Sequence, residues 1–305
     1  MKILVATQKP FAKAAAQGVR SELEAAGYEV VFLEKYPDED ALVSAVEDAD
    51  ALIVRSDKVT PRVVEAARNL KIVVRAGAGY DNVDLDSCTR KGIVVMNTPG
   101  QNSNAVAELA VAMMIFMARN QFTPAAGTEI SGKTVGIQAF GNVGRLVGAK
   151  ASALGMKVKA VDPFLSAEKI AEGGAEPLES LEELYSSCDY VSIHIPATPQ
   201  TVRSIGYELI SKMPHGAVLV NTARKEVIDE EGLEKVLAER EDLKYITDVA
   251  PDSYESLKEK FGLRVFATPK KMGAQTVEAN TNAALAAARQ IVGFFEDGIT
   301  KFKVN

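Results

Sequence analysis

The stretch TVGIQAFGNVGRLVGAK, residues 134–150, is typical of a strand that turns tightly into a helix. It places Ala139, Gly141 and Gly144 at the spacing of the dinucleotide-binding turn G-x-G-x-x-G, with alanine in place of the first glycine. In this turn the second glycine lets the backbone approach a pyrophosphate, and the third lets helix and strand pack closely. Turn chemistry alone would explain isolated glycines, so the prediction of a nucleotide site depends on what surrounds them.

The helix and strand that follow the turn supply this context. Asn142 and Val143 open the helix, where backbone amides without partners inside the helix are expected to donate to phosphate oxygens. The next strand ends in Asp162, where a carboxylate is placed to accept hydrogen bonds from the adenosine ribose. An aspartate here disfavours a 2′-phosphate on that ribose. The sequence therefore predicts NAD, and not NADP, as the cofactor.

Short apolar runs alternate with helical patterns along the whole chain. Five strand candidates precede the turn, at residues 2–7, 28–34, 50–56, 71–77 and 92–99. Six more begin with the turn itself, at residues 134–140, 157–163, 190–196, 217–223, 244–250 and 265–269. This alternation predicts an α/β fold with two doubly wound parallel-sheet domains, Rossmann-like or flavodoxin-like, and a cleft between them.

Chain length suggests how the domains divide. A chain of 305 residues is longer than one core usually grows. A long apolar helical pattern follows the NTPG turn, and the last helical pattern is long enough to carry the chain back to the first domain. We predict a discontinuous substrate-binding domain, residues 1–98 plus 282–305, and an NAD-binding domain, residues 99–281.

Composition narrows the partners and the compartment. A net charge of −6 and a pI near 5.3 give no basic surface for nucleic acid. Two cysteines far apart in sequence suggest neither disulfides nor a metal site, and the N-terminus lacks the pattern of a signal peptide. No apolar run is long enough to predict a membrane span. We expect a cytoplasmic protein that binds a small molecule and neither nucleic acid nor membrane.

Three long segments resemble the D-2-hydroxyacid dehydrogenases, and within that family the D-3-phosphoglycerate dehydrogenases: residues 54–100, 102–114 and 213–233. The resemblance implies NAD-dependent oxidation of 3-phosphoglycerate to 3-phosphohydroxypyruvate, the first step of serine biosynthesis, by a homodimer. Because the sequence ends at KFKVN, no C-terminal regulatory domain is expected. Two alternatives stay open: another family activity, such as hydroxypyruvate or glyoxylate reductase, and a catalytically silent NAD-binding sensor or corepressor.

The resemblance also implies roles for individual residues. Arg224 is the arginine that binds the substrate carboxylate, for which a planar guanidinium with two parallel donors is well suited. Substrate contacts are implied for Arg55 and Ser56 at the phosphate, with Lys58 nearby, and for Asn104, which is otherwise a helix cap. They are also implied for a backbone cradle over residues 75–79, of which Arg75, Ala76 and Gly77 are singled out. Cofactor contacts are implied for His194, which is otherwise structural, and for Thr222, Ala223 and Asp248.

The sequence departs from the family where the catalytic histidine is expected. The segment reads TPKKMGA, so Lys271, or less favourably Lys270, occupies the position of that histidine. The family's orienting glutamate is replaced by Ser253, which leaves Asp252 as the nearest carboxylate and Glu255 as the second. A lysine must be neutral to accept a proton, and burial or a nearby cation such as Arg224 would lower its pKa from about 10.4. The hypothesis is a lysine acid/base that Asp252 orients at most weakly.

The segment between the two domains is also unusual. After MARN the chain reads QFTPAAGTEISGK, which is shorter than in the family and lacks the family's tryptophan. In the family this segment helps to build the dimer and can lend a basic residue to the neighbouring site. The geometry of the expected homodimer is therefore left open.

Overall fold

A computed structural model describes all 305 residues, which divide into two compact units, Met1–Asn102 with Gln275–Asn305 and Ser103–Ala274. The first unit contains a five-stranded parallel sheet in the order β2-β1-β3-β4-β5. This order is the flavodoxin-like doubly wound arrangement. Its strands are β1 (Lys2–Thr7), β2 (Glu29–Glu34), β3 (Ala51–Val54), β4 (Ile72–Arg75) and β5 (Val94–Asn97).

Five helices cover this sheet: α1 (Lys13–Ala25), α2 (Glu39–Val46), α3 (Pro61–Ala66), α4 (Leu85–Arg90) and the last helix of the chain, α12 (Val277–Asp297). The Thr60 side chain caps α3 by accepting from the amide of Val63, as its place before Pro61 predicts. Helices α1 and α12 pack together, and Gly18 allows it, because a Cβ there would lie 2.8 Å from the Leu285 side chain.

The second unit contains a seven-stranded parallel sheet in the order β12-β11-β10-β9-β6-β7-β8. The strands are β6 (Thr134–Gln138), β7 (Lys157–Val161), β8 (Glu176–Pro177), β9 (Tyr190–Ile193), β10 (Val218–Asn221), β11 (Lys244–Thr247) and β12 (Val265–Ala267). The predicted fold class and all eleven predicted strands are confirmed. The additional strand, β8, has two residues at the sheet edge, one of them proline, and is too short to leave a sequence pattern.

The helices of the second unit are α5 (Ser103–Ala118), α6 (Asn142–Ala153), α7 (Ala167–Glu172), α8 (Leu181–Ser187), α9 (Tyr207–Ile210), α10 (Glu230–Glu239) and α11 (Tyr254–Phe261). Helix α5 packs along α6 and against β10 and β11, which explains why it is apolar almost all round. Because the strands are parallel, their carboxyl ends meet at one edge of the sheet. That edge gathers the ends of β6, β7, β9, β10 and β11, which carry most of the predicted cofactor residues.

No helix of the chain combines the length and the apolar character that a membrane crossing needs.

Candidate active site

The turn after β6 has the conformation that its glycine pattern predicts. Ala139 adopts φ of 74°, the left-handed region that favours glycine, which explains why glycine is usual at this place. Gly141 caps α6 without a side-chain hydrogen bond, and a Cβ added to it would meet nothing within 4 Å. At Gly144 a Cβ would lie 2.2 Å from the carbonyl oxygen of Ala139. The start of α6 is therefore held close to β6, and the space beside Gly141 at the helix start is open.

Asp162 lies directly after β7 and joins the turn after β6 to the loop after β7. Its Oδ2 accepts from the amide of Phe140 at 2.8 Å, and its Oδ1 accepts from the amide of Phe164 at 2.9 Å. Each carboxylate oxygen keeps a further lone pair for a ribose hydroxyl. At the end of β10, the buried hydroxyl of Thr222 has no hydrogen-bond partner in the chain. The open helix start, the carboxylate and the unsatisfied hydroxyl fit a dinucleotide bound along this edge.

His194 is held as a neutral side chain beside β9. Its Nε2 lies 2.9 Å from the hydroxyl of the buried Ser192, and its amide donates to the carbonyl of Gln138 at 3.0 Å. Burial lowers the pKa of the imidazole to about 3. These contacts fit the structural reading of His194, and its predicted contact with the cofactor stays a prediction. His215, the only other histidine, is exposed in a turn.

The loop after β10 is braced by the buried Asn221. The Asn221 amide nitrogen donates to the carbonyl of Arg224 at 2.9 Å, and its Oδ1 accepts from the amide of Ala223 at 2.9 Å. The Arg224 guanidinium donates through Nη1 to the carbonyl of Ala223 at 3.0 Å. Because both ends of the short loop are bonded to one side chain, Arg224 leaves the sheet in a fixed direction.

The Lys271 amine contacts the same carbonyl oxygen. Its Nζ donates to Ala223 O at 2.8 Å and approaches Asp248 Oδ1 at 3.3 Å. Burial lowers the pKa of the Lys271 amine below its ordinary value, with Asp248 acting to raise it and Arg224 to lower it. The Lys271 side chain nevertheless stays two-fifths exposed, so the amine remains accessible from solvent. The structure thus brings a guanidinium and an amine of lowered pKa to one carbonyl oxygen.

Lys270 is exposed, and no contact of its amine with the Arg224 loop is present. Its backbone carbonyl accepts from the hydroxyl of Thr268 at 2.7 Å. Of the two lysines that the sequence left open, the geometry brings Lys271 to Arg224.

The suggestion that Asp252 orients the lysine needs correction. Asp252 pairs with Lys225, and its side chain is 82% exposed. The carboxylate that contacts Lys271 is Asp248, which is fully buried. Sequence distance misled the prediction because Asp252 follows β11 by several residues, whereas Asp248 directly follows the end of β11 beside the Arg224 loop.

Glu230, at the start of α10, is a residue that sequence reasoning missed. Its carboxylate accepts from the amides of Asp252 and Ser253, both at 2.9 Å, and from the hydroxyl of Ser253 at 2.6 Å. Ser253, which replaces the family's glutamate, is thus bonded to Glu230. No motif signalled this, because the partners are more than twenty residues apart.

In the first unit, only part of the predicted carboxylate cradle has free amides. The amide of Ala76 donates to Val54 in the sheet, and the amide of Gly77 donates back to Arg75, both within 3 Å. The Arg75 guanidinium lies over Gly77, where a Cβ would overlap it at 1.6 Å. Two of the predicted amides are therefore already engaged, which corrects the prediction for Ala76 and Gly77.

The amides of Ala78 and Gly79 have no acceptor within the chain, while the carbonyl of Ala78 is held by the Asn97 side chain at 2.6 Å. These two amides, and not those of Ala76 and Gly77, are available to an anion.

Arg55 and Ser56 follow β3, at the point where the strand order of the first sheet reverses. Next to them, the buried Asp57 accepts from the amide of Gln8 and from the Tyr36 hydroxyl, both at 2.6 Å. Burial raises the pKa of the Tyr36 hydroxyl, and so does the Asp57 carboxylate. Asp57 therefore ties the β1 and β3 loops together. No sequence pattern singled out this aspartate.

Asn104 is the second residue of α5 and is exposed. Its side-chain amide donates to Glu108 Oε1 at 2.8 Å, one turn further along the helix. It therefore lies inside the helix and does not cap it, and its predicted contact with substrate stays a prediction.

Comparison with known proteins identifies the family. Residues 106–270 match the model of the D-isomer specific 2-hydroxyacid dehydrogenase NAD-binding domain. The chain belongs to this family. The match confirms the resemblance and the prediction of NAD as cofactor, and it assigns the second unit, except its ends, to the NAD-binding domain.

The chain is similar to three known proteins of this family. The D-3-phosphoglycerate dehydrogenase of Methanocaldococcus jannaschii is 37% identical over 283 residues, which are 87% of this chain and 53% of that protein. The hydroxypyruvate reductase of Thermotoga maritima is 37% identical over 285 residues, 86% of this chain and 89% of that protein. The NAD⁺-bound 3-phosphoglycerate dehydrogenase of Entamoeba histolytica is 50% identical, with a TM-score of 0.90, over 100% of this chain and 98% of that structure.

The first curated phosphoglycerate dehydrogenases that the chain matches are longer proteins, of which it spans between 40% and 53%.

Proposed function

We propose that this chain is a phosphoglycerate dehydrogenase that oxidises the C2 hydroxyl of 3-phosphoglycerate to a ketone, with NAD as the acceptor of the hydride. The observation that carries the proposal is the Ala223 carbonyl shared by Arg224 Nη1 and Lys271 Nζ. This shared carbonyl holds the guanidinium, which can bind a carboxylate, next to the amine, which can accept a proton. The arrangement matches a 2-hydroxy acid, whose carboxylate is bonded to the carbon that carries the hydroxyl. The similarity to phosphoglycerate dehydrogenases, 50% in the Entamoeba histolytica structure, supports the choice of substrate.

In the proposed reaction each residue has one task. Arg224 binds the carboxylate of the substrate through two parallel hydrogen bonds and so fixes the orientation of C2. Neutral Lys271 takes the proton of the C2 hydroxyl at Nζ as the carbon–oxygen double bond forms. NAD, when bound, accepts the hydride that leaves C2. In the reverse direction Lys271 starts protonated and returns the proton to the oxygen.

The charged groups around Lys271 favour its use both in oxidation of the hydroxy acid and in reduction of the oxo acid. Burial and Arg224 lower the pKa of the amine, which increases its neutral fraction near neutral pH, whereas Asp248 opposes them and preserves an acid form for reduction. Oxidation requires the neutral amine, so its rate is expected to rise as pH increases through this pKa.

Arg55, Ser56 and Lys58 support a phosphorylated substrate. We propose that they bind the phosphate group and that the open amides of Ala78 and Gly79 assist in binding anionic oxygens of the substrate. The unphosphorylated alternative, reduction of hydroxypyruvate, rests on the relative from Thermotoga maritima, of which the chain covers 89%. That reaction would use Arg224 and Lys271 in the same roles but would not need Arg55.

Initial rates of NADH formation distinguish the two substrates. With 3-phosphoglycerate we expect a higher kcat/KM than with glycerate, lactate or 2-hydroxyglutarate. Arg55→Ala is expected to raise KM for 3-phosphoglycerate roughly 10- to 100-fold, because a charge-assisted hydrogen bond contributes about 1.5–3 kcal/mol. The matched control is Arg68→Ala, an exposed arginine of the same unit that pairs with Glu47. If the parent enzyme has the same kcat/KM for glycerate as for 3-phosphoglycerate, the result favours a hydroxypyruvate reductase. If no acid supports NADH formation, the result favours a catalytically silent NAD-binding sensor.

We further propose a metabolic role and an oligomeric state for the chain. Oxidation of 3-phosphoglycerate would place the chain at the first step of serine biosynthesis, and its composition fits the cytoplasm. We propose a homodimer, supported by Phe122, an aromatic side chain that is 70% exposed and packs edge-on against Phe116. Sedimentation equilibrium is expected to give twice the chain mass of 32.6 kDa. A mass of one chain at micromolar concentration would contradict the dimer.

A further inference from the structure

We propose that Asp248 is the positioning residue of Lys271, with one carboxylate oxygen on the lysine amine and the other on the backbone of the loop that carries it. The proposal rests on the proposed function in that Lys271 is taken as the proton acceptor. The resemblance to the family implies for Asp248 only a contact with the cofactor. The geometry adds a second role, since both of its oxygens are bonded to residues 271–273.

The two hydrogen bonds of Asp248 form a clamp on the lysine loop. Oδ1 lies 3.3 Å from Lys271 Nζ, and Oδ2 accepts from the amide of Gly273 at 2.7 Å. The first bond holds the end of the side chain, and the second fixes the backbone two residues further along. Together they define where the amine lies relative to the sheet, which a single contact with a flexible lysine would not do.

The side chain of Asp248 is itself fixed. It is fully buried directly after the end of β11, its amide donates to Asn221 O at 3.2 Å, and its carbonyl accepts from the Thr268 hydroxyl at 3.0 Å. A buried carboxylate is costly unless it is paired and hydrogen-bonded. Lys271 and Gly273 supply both requirements, so the aspartate and the loop stabilise each other.

Gly273 shows how closely the loop approaches. A Cβ at this position would lie 2.8 Å from Asp248 Oδ2 and 3.2 Å from a methyl group of Val106 on α5. Any side chain would push the amide away from the carboxylate. The glycine is therefore explained by the clamp, and not by an unusual φ.

The charged groups that face Lys271 set the direction of its titration. Asp248 and Glu226 raise the pKa of the amine, while burial and Arg224 lower it. Removing the charge of Asp248 removes the nearest carboxylate and leaves Arg224 and burial in place. The amine should then lose its proton at lower pH than in the parent protein.

Competitive acetylation with acetic anhydride across a pH series, with mass spectrometry of the Lys271 peptide, measures this titration without substrate or NAD. The side chain is exposed enough to react. In Asp248→Asn we expect Lys271 to become reactive at lower pH than in the parent. The control is Glu234→Gln, which removes a carboxylate paired with Lys260 and should leave Lys271 unchanged. An unchanged or raised titration of Lys271 in Asp248→Asn would overturn the proposal.

A double-mutant cycle on kcat, at saturating NAD and substrate, tests positioning separately. Asp248→Asn is expected to lower kcat by up to about 10²-fold, as displacement of a reacting group does. The loss should be much smaller in the Lys271→Ala background than in the parent, because the part that acts through the lysine is then absent and only a contribution from the cofactor contact remains. Full additivity would overturn the proposal.

Gly273→Ala breaks the same clamp from the loop side and replaces Asp248→Asn in the cycle if that variant does not fold. A loss from Gly273→Ala that persists in full without Lys271 would contradict the clamp. Parent-like kcat in Lys271→Ala would instead refute the proposed base, which the acetylation result does not depend on.

Discussion

Lys271→Ala is expected to lower kcat for oxidation of 3-phosphoglycerate by about 10² to 10⁴-fold, the usual contribution of a general base. The reason is that Nζ is the proton acceptor that the structure brings to the Arg224 loop. KM should change much less, because the carboxylate and phosphate contacts are made by other residues. Single-turnover measurement of NADH formation separates this loss from a change in product release.

Lys270→Ala is the matched comparison, since it removes an adjacent lysine of the same length. Its exposed amine makes no contact with the Arg224 loop, so its loss of kcat should be far smaller. A large loss in Lys270→Ala together with parent-like kcat in Lys271→Ala would show that the structure selects the wrong lysine.

Arg224→Lys is expected to lower kcat/KM by about 10- to 100-fold, because one of two parallel charge-assisted hydrogen bonds to the carboxylate, each of about 1.5–3 kcal/mol, is lost. A lysine keeps the charge but not the two parallel donors that match a carboxylate. Since the positive charge near Lys271 stays, the pH at which the rate rises should stay as well. Steady-state kinetics across a pH series measures both quantities.

Arg224→Gln separates the charge from the geometry. It removes the cation that lowers the pKa of Lys271, so the rising limb of the pH profile should move to higher pH. The control for both variants is Arg203→Lys, an exposed arginine of the same unit that pairs with Asp229. A parent-like kcat/KM in Arg224→Lys would contradict the proposal that Arg224 binds the substrate carboxylate through two parallel hydrogen bonds.

The fold was largely accessible from the sequence because its signals are local. Each buried parallel strand is a short apolar run, and Thr60 with Pro61 marks a helix start without reference to any other part of the chain. The turn at Ala139, Gly141 and Gly144 was equally predictable, since its conformation depends on a few consecutive residues. The two-residue edge strand β8 is the only strand that the sequence analysis did not predict.

The site was less accessible because its contacts join residues that are far apart in sequence. Lys271 meets Asp248 across 23 positions and Ala223 across 48, and no spacing rule selects Asp248 over Asp252. The part of the cradle after β4 that is not available was predicted wrongly for a different reason. Whether an amide is free depends on the sheet partner, and Ala76 donates to Val54 of the neighbouring strand.

The central claim is that a neutral amine at position 271 accepts the substrate proton, and rescue of Lys271→Ala by small primary amines tests it most directly. The cavity left by the truncated side chain should admit ethylamine, and the restored rate should increase with the concentration of its uncharged form as pH rises. A folded Lys271→Ala protein that binds NAD yet gains no activity from any amine, or gains it in proportion to the ammonium form, would contradict the account.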